Sequence, residues 1–239
     1  MRQIILAINA LLKFKAYTLI NVLGLACSLA CVLTVARYIH QENTVNQCFP
    51  EYKRICLITT STSSGENFLG GYRSGLEKNP DVEQFTVIYQ ISDMPALFGE
   101  QEIAANAFSV DSTFFKIFPY RVIAGSGRIV RPRDGVITRS FWKKKLGGKN
   151  AIGATFKNTK GNKFTIIGVV DDPDTKTSWM PDIFMSDELD EFLFFDPIYA
   201  MLMAPDTDIA LLNKKYSKEH PRSKWSTYET VRYQYLPLK

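Results

Sequence analysis

The chain has 239 residues, 46% hydrophobic and 22% charged, and its 29 Lys and Arg against 24 Asp and Glu leave a net charge of +5. That composition excludes a disordered chain and can bury a sizeable core as one or two domains. The positive balance is mild and its Lys and Arg are scattered; without a basic stripe interleaved with aromatics, nucleic acid is excluded as a partner.

In residues 1–15, Arg2, Asn9 and Lys13 fall on one side of a 100° helical projection, while Ile4, Ile8 and Leu11 fall on the other. The pattern predicts an amphipathic helix on the cytoplasmic membrane surface, with a plain continuation of the following span as the alternative. Ala16 to Ala36 holds no charged side chain. At ~1.5 Å per residue that stretch reaches ~31 Å, close to the ~30 Å of a bilayer's hydrocarbon, so residues 16–40 read as a transmembrane helix. The apolar run is longer than a signal-peptide core and no small-x-small cleavage site closes it, so the span is expected to be retained. The Leu-Ala-Cys triplets ending at Cys27 and Cys31 resemble lipoprotein processing sites only faintly. Arg2, Lys13 and Lys15 precede the span and Arg37 follows it. This bias sets the N-terminus in the cytoplasm and residues 41–239 outside it.

Beyond Gln41 the pattern becomes mixed. Arg54–Thr60 reads as a strand, 61–67 as a polar turn, and Phe68–Lys78 as a short helix stopped by Asn79-Pro80. Phe85–Ile91 and Ile103–Val110 are strands, and Asp111 caps a helical turn that ends near Pro119. Arg121–Ala124 forms a further strand. Gly135–Thr138 reads as a short buried strand, Ser140–Leu146 as a helix, and Gly147-Gly148 as its stop. Two strands meet at a turn around Lys160-Gly161-Asn162, the second being Phe164–Val170. Ile183–Met185, Ile198–Met203 and Val231–Leu236 complete the strands, with a helix over Thr207–Tyr216. Strands and helices do not alternate regularly, so the fold class is α+β: one N-terminal transmembrane helix followed by a mixed α+β domain.

Residues able to carry chemistry are few. His40 and His220 are the only histidines, and neither has a nucleophile motif, a zinc-ligand partner or an orienting acid. Asp171, Asp172 and Asp174 surround Pro173, where a turn after a strand attracts Asp for backbone hydrogen bonds. Gly147-Gly148-Lys149 lacks the spacing of a phosphate-binding loop. Lys143–Lys145 reads as a solvated helix face. Cys27 and Cys31 share a helix face within the span, whereas Cys48 and Cys56 either close a small disulfide loop or stay as buried thiols. No catalytic, cofactor-binding or metal-ligating residue is assigned, and no enzyme activity is expected.

Several segments taken in order resemble the MacB/FtsX-type ABC transporter permeases. They are Tyr17-Thr-Leu-Ile-Asn-Val-Leu-Gly-Leu-Ala26 in the span, Asp111-Ser-Thr-Phe-Phe-Lys-Ile-Phe-Pro119 with Ala124-Gly125, Gly135-Val-Ile-Thr-Arg-Ser-Phe-Trp142, Leu146-Gly-Gly-Lys-Asn-Ala-Ile-Gly153, and Phe164-Thr-Ile-Ile-Gly-Val-Val170 with Asp172-Pro173. The chain departs from that pattern at Asn46, where the family often has an acid, and at Cys48 and Cys56, where it often has aromatics. The resemblance implies that residues 41–239 form a MacB-like periplasmic core domain at the bacterial inner membrane. It also implies a separate ABC ATPase as partner, a permease dimer, contact with membrane lipid, and a role in export or efflux. Such permeases have further spans, so the chain reads as truncated before them. A single-span, membrane-anchored extracytoplasmic sensor or ligand-binding domain is the alternative reading, distinguished by a deep pocket with convergent polar groups. The span is expected to continue past His40 as a stiff stalk, because His40 to Gln47 contains neither Gly nor Pro.

Overall fold

The computed structural model describes residues 13–62, 67–70, 79–186, 197–216, 219–221 and 230–238. The expected amphipathic helix therefore lies largely outside the described residues. The chain divides into two compact units, 1–45 and 46–239.

In the first unit, helix α1 runs from Lys15 to Asn43, 29 residues in all, and buries none of them within the unit. At ~1.5 Å per residue it is ~43 Å long, more than enough to cross a bilayer. Leu19, Ile20, Val22, Leu23, Leu25 and Leu29 are among the aliphatic side chains it presents uncovered. Such a helix is stable only with an apolar medium around it. Its hydroxyls suit that medium: Ser28 donates to the Gly24 carbonyl at 2.8 Å and Thr34 to the Ala30 carbonyl at 2.7 Å. Both polar groups are thereby satisfied without water.

Among the described residues, the second unit is built on a mixed sheet of twelve strands. They are β1 (Ile55–Thr62), β2 (Asn67–Leu69), β3 (Val82–Phe98), β4 (Gln101–Val110), β5 (Val122–Gly125), β6 (Asp134–Thr138), β7 (Thr155–Lys157), β8 (Lys163–Val170), β9 (Ile183–Ser186), β10 (Ile198–Met203), β11 (Glu219–Pro221) and β12 (Thr230–Pro237). Their order is β11-β12-β1-β10-β3-β4-β9-β6-β8-β5, with β2 beside β1. Short helices α2 (Phe114–Ile117), α3 (Arg139–Lys145) and α4 (Ile209–Tyr216) complete the unit.

Strand β3 does two jobs along its 17 residues. Its first part pairs with β10, and Leu97 near its end pairs with Lys157 of β7. Between them the register against β4 shifts at Ile91/Met94, and Asp93 adopts a φ of 49°. A bulge of this kind bends a strand and raises its twist. Because β7 also pairs with β8, the ladders β3-β4-β9-β6-β8-β7 close into a ring. Closure removes strand edges that would otherwise be left unpaired.

Alternation along the strands divides the apolar residues between two cores. Cys56 and Ile58 of β1 join Met94, Ala96, Ile137, Phe156, Phe164, Ile166 and Met185 in the first. Phe141 of α3 packs there against Phe98, with centroids 6.0 Å apart. Ile55 and Leu57 face the other way, into a second core with Ile88, Val110, Val136, Val170 and an aromatic group. The period-2 pattern of a strand covered on both faces produces this split.

Most expected elements are present. The differences are local. Ser61 and Thr62 prolong β1, and Asn67 to Leu69 forms β2 rather than a turn and the start of a helix; residues 63–66 and 71–78 lie outside the described residues. The pairing of Thr60 with Phe68 explains the strand, since ladder hydrogen bonds override a weak helical pattern. Strand β3 continues well past Ile91 because β4 pairs with it throughout. Strand β11 has no counterpart among the expected elements.

Strand β5 approaches β8 so closely that a Cβ placed on Gly168 would lie 1.7 Å from the Ser126 carbonyl oxygen. Both partners are backbone, so neither can rotate away. Gly168→Ala is expected to cost about 2–3 kcal/mol in urea denaturation. An unchanged midpoint would mean that β5 is free to move off β8.

Candidate functional site

Helix α1 ends at Asn43, and the Thr44 N–H donates to the His40 carbonyl at 3.1 Å. The helix thus exceeds His40 by three residues rather than continuing as a long stalk. Thr44 and Val45 are weak helix formers, consistent with a stop here.

The second unit begins at a tightly held residue. Asn46 is 3% exposed and has a φ of 63°, in the left-handed region that Asn tolerates better than most residues. Its N–H donates to the Lys176 carbonyl at 2.9 Å. Its side-chain oxygen accepts from the Thr177 hydroxyl at 2.8 Å and from the Ser178 N–H at 3.3 Å. Asn46 therefore ties the start of the unit to the 171–182 connection between β8 and β9. A carboxylate, which the resemblance would favour here, has no amide donor, but it offers the same acceptor geometry.

Three residues later, Phe49 enters the second core at 1% exposure. Its ring meets Phe118 edge-on at 5.0 Å and Tyr120 at 5.6 Å. Phe118 stacks on Trp179 at 5.2 Å, and Phe114 and Phe115 reach Phe184 at 5.4 and 5.1 Å. Each such pair adds about 0.5–1.5 kcal/mol beyond area burial. The Tyr120 hydroxyl donates to the Trp179 carbonyl, so the same connection is held a second time. Burial pushes the Tyr120 phenol well above its ordinary range, which keeps it a donor. Asp111 sets the aromatic group in place. Its carboxylate accepts from the Thr86 hydroxyl at 2.8 Å, the Val87 N–H at 3.1 Å, and the N–H groups of Thr113 and Phe114 at 2.8 and 3.1 Å.

The other end of the connection is fixed by charge. Asp171 accepts from Arg121 through Nε at 2.9 Å and through Nη2, and from Arg139 Nη2 at 2.9 Å. The Arg121 hydrogen bonds, chiefly, hold its carboxyl below the ordinary carboxylate range. Asp172 accepts from the Ser140 N–H at 3.2 Å and hydroxyl at 2.7 Å, at the start of α3. Backbone hydrogen bonding, the role expected of this acidic turn, fits Asp172 and also Asp171, whose Oδ1 accepts from the Asp172 N–H at 3.0 Å while its Oδ2 is the ion-pair centre. Asp182 closes the connection, its carboxylate accepting from the Asn106 N–H at 2.9 Å and its N–H donating to the Asn106 carbonyl at 2.7 Å.

Cys48 and Cys56 are free thiols. They face opposite sides of the sheet, Cys56 in the first core and Cys48 against the second. Burial raises both, Cys56 to about 12, so Cys56 stays a protonated, unreactive thiol. His40 lies on α1, and His220 lies in β11 of the other unit. Among the described residues no group of three or more His, Cys, Asp or Glu is placed to hold a metal.

Asn46→Ala loses two accepted hydrogen bonds and gains left-handed strain, so it is expected to cost about 2–3 kcal/mol in urea denaturation. Asn46→Gly removes the bonds without the strain and should cost about 1 kcal/mol less. Equal losses would eliminate the conformational contribution. For Asp171 the folded carboxyl is depressed, so its stabilisation is present above the unfolded value of about 3.9 and is lost as pH falls through the folded value. Melting temperature between pH 3 and 7 should therefore fall more steeply below about pH 4 for the parent than for Asp171→Asn. Parallel curves would rule out this contribution.

Comparison with known proteins agrees with this architecture. The chain matches the family model of the MacB-like periplasmic core domain over residues 18–215. It is similar to a domain of a provisionally assigned permease protein from Porphyromonas gingivalis, with a TM-score of 0.64 and 16% identity, covering 80% of this chain and 92% of that one. It is also similar to the periplasmic region of MacB from Actinobacillus actinomycetemcomitans, with a TM-score of 0.55 and 14% identity over 72% and 83% of the two chains. The extracellular domain of the noncanonic ABC-type transporter YknZ from Gram-positive bacteria follows, with a TM-score of 0.53 and 16% identity over 76% and 99%. Among curated proteins compared by sequence, none matches the chain. The structural identities speak to the fold alone, but the family match starts inside α1 and ends inside α4, and by it the chain belongs to the MacB-like periplasmic core domain family of ABC transporter permeases.

Proposed function

We propose that the chain is the N-terminal part of an ABC transporter permease subunit, whose sheet-rich domain is moved mechanically by a separate ATPase during export or efflux. In this reading residues 1–15 lie on the cytoplasmic membrane surface, 16–40 cross the inner membrane, and 41–239 form the periplasmic domain. The permease works as a dimer in contact with lipid. The observation that carries the reading is a single family match running through both the apolar helix and the domain. Two physical features support it. Every aliphatic side chain named on α1 lacks a protein neighbour in its own unit, as a lipid-facing helix requires. The start of the domain is held by Asn46, Phe49 and the 171–182 connection, so a displacement delivered there moves the domain as a body and does not merely peel off a terminal segment.

Membrane topology and coupling are tested separately. In intact cells an impermeant maleimide should label Lys116→Cys and spare Lys13→Cys, in a background where the native cysteines are replaced; the reverse pattern would overturn the orientation. An ABC ATPase purified with the chain from native membranes should lose several-fold of its stimulated hydrolysis when four glycines are inserted between Asn43 and Asn46, because a flexible joint transmits little force. Unchanged stimulation would refute mechanical coupling through this junction.

A further inference from the structure

The basic residues, dispersed along the sequence, are unevenly shared over it. Residues 121–170 contain twelve Lys and Arg and a single acid, Asp134, so this stretch is +11 while the rest of the chain is −6. In the fold the stretch supplies β5, β6, α3, β7 and β8, which gather at the β5 end of the sheet.

An open cleft of about 390 Å3 lies in that region, lined by Ser126, Arg128, Val130, Arg131, Ile152 and Ile167 among others. The Arg128 guanidinium has no ion pair or hydrogen bond among the described residues, and Arg131 has only a 3.9 Å approach to Asp134. Val130 is 74% exposed and Ile152 47%. The cleft thus sets the Arg128 guanidinium, with Arg131 beside the Asp134 carboxylate that also lines it, over uncovered aliphatic side chains.

The charge continues beyond the cleft. On β8, Phe164 and Ile166 point into the first core, so Lys163 and Thr165 face outward while Ile167 packs in part against the second core, and Thr165 and Ile167 line the cleft. Lys163 stands directly opposite Lys157 of β7. Like charges facing each other across a ladder are destabilising unless an anion lies over them.

We infer that the Arg128–Arg131 cleft and the adjoining Lys157–Lys163 pair form a docking surface for an acidic polypeptide segment that carries apolar side chains between its carboxylates. Charge complementarity selects an acidic occupant. The apolar floor selects a peptide over a hydrated polyanion, which would gain nothing from Val130 and Ile152. A few exposed aliphatic residues in an open cleft accept side chains but offer no enclosed volume for acyl chains, which argues against a lipid. The inference is independent of what drives the domain.

Binding is measured by fluorescence anisotropy with the full chain in neutral-lipid nanodiscs. The probe is a labelled twelve-residue peptide with Glu at alternate positions and Leu between them; its counterparts replace Leu by Ser, or Glu by Gln. Saturable binding of the Glu/Leu peptide is expected, at least about tenfold tighter than either counterpart and weakened with rising salt. Arg128→Glu with Arg131→Glu should lower it at least about tenfold, and Val130→Ser with Ile152→Ser should reduce it to the level of the Glu/Ser peptide. Lys157→Glu with Lys163→Glu provides a second charge reversal on other elements, and circular dichroism melts verify that each variant folds. Equal binding of the Glu/Leu and Glu/Ser peptides would mean a non-selective polyanion surface and overturn the inference. So would binding to phosphatidylglycerol vesicles in place of peptide, or no binding at all. Peptide binding that emerges only after Asp187, Glu188, Asp190, Glu191 and Asp196 are changed to their amides would assign the surface to the chain's own acids instead of a partner.

Discussion

The bend in β3 is the constraint on which the domain rests. One strand must pair with β10 at its beginning and with β7 near its end, and these partners belong to an open sheet and a closed ring respectively. The shift at Ile91/Met94, with Asp93 at positive φ, supplies the turn in direction. Strand β4 follows β3 through the bend, so the hairpin keeps its ladder on both sides of it. The first core then fills the ring and spreads along one face of the sheet, while the second core occupies the opposite face. A straight β3 would leave β7 unpaired with it and Phe156 and Phe164 facing water. Burying a phenylalanine is worth about 1.5–3 kcal/mol, so such a loss would far exceed the small cost of a bulge.

The second core is where the start of the second unit is buried. Phe49 is inserted among aromatic side chains drawn from α2, the segment after it, β9 and the 171–182 connection. Around that apolar contact lie polar ties that differ in kind. Asn46 uses its backbone and its amide oxygen, Tyr120 a hydroxyl, and Asp171 an ion pair with two arginines. Each tie ends on the same connection between β8 and β9. The start of the second unit is thereby held by several contacts of different kinds and not by one hydrogen bond.

Much of this was legible in the residues. Strands β4, β6, β8, β9 and β10 follow from their apolar runs, and Asp111, with Thr113 and Phe114 after it, reads as a capped turn before any tertiary contact is known. Gly147 and Gly148 stop α3 at φ values of 67° and 69°, as glycine after a helix signals. Residues that hold the junction were less visible. Asn46 stands out in the sequence only as a departure from the family pattern, although Asn at a turn is a known marker of the left-handed region. Arg121 looked like the first residue of an ordinary strand. Nothing near it announces that its partner is Asp171, fifty positions away. The basic residues between 121 and 170 looked dispersed because half fall on α3, β7 and β8 and the rest on the connections between elements, and only the sheet order brings those segments together.

The sequence by itself determined the uncharged helix, the mixed α+β class and the order of most strands. These depend on hydrophobic periodicity and on capping, which act over a few residues and can be read locally. Tertiary structure alone decided that β7 closes a ring, that Asn46 meets Thr177 and Ser178, and that lysines of β7 and β8 stand side by side. Those outcomes depend on register between distant segments. Register is set by how whole faces bury against each other, and no local pattern encodes it.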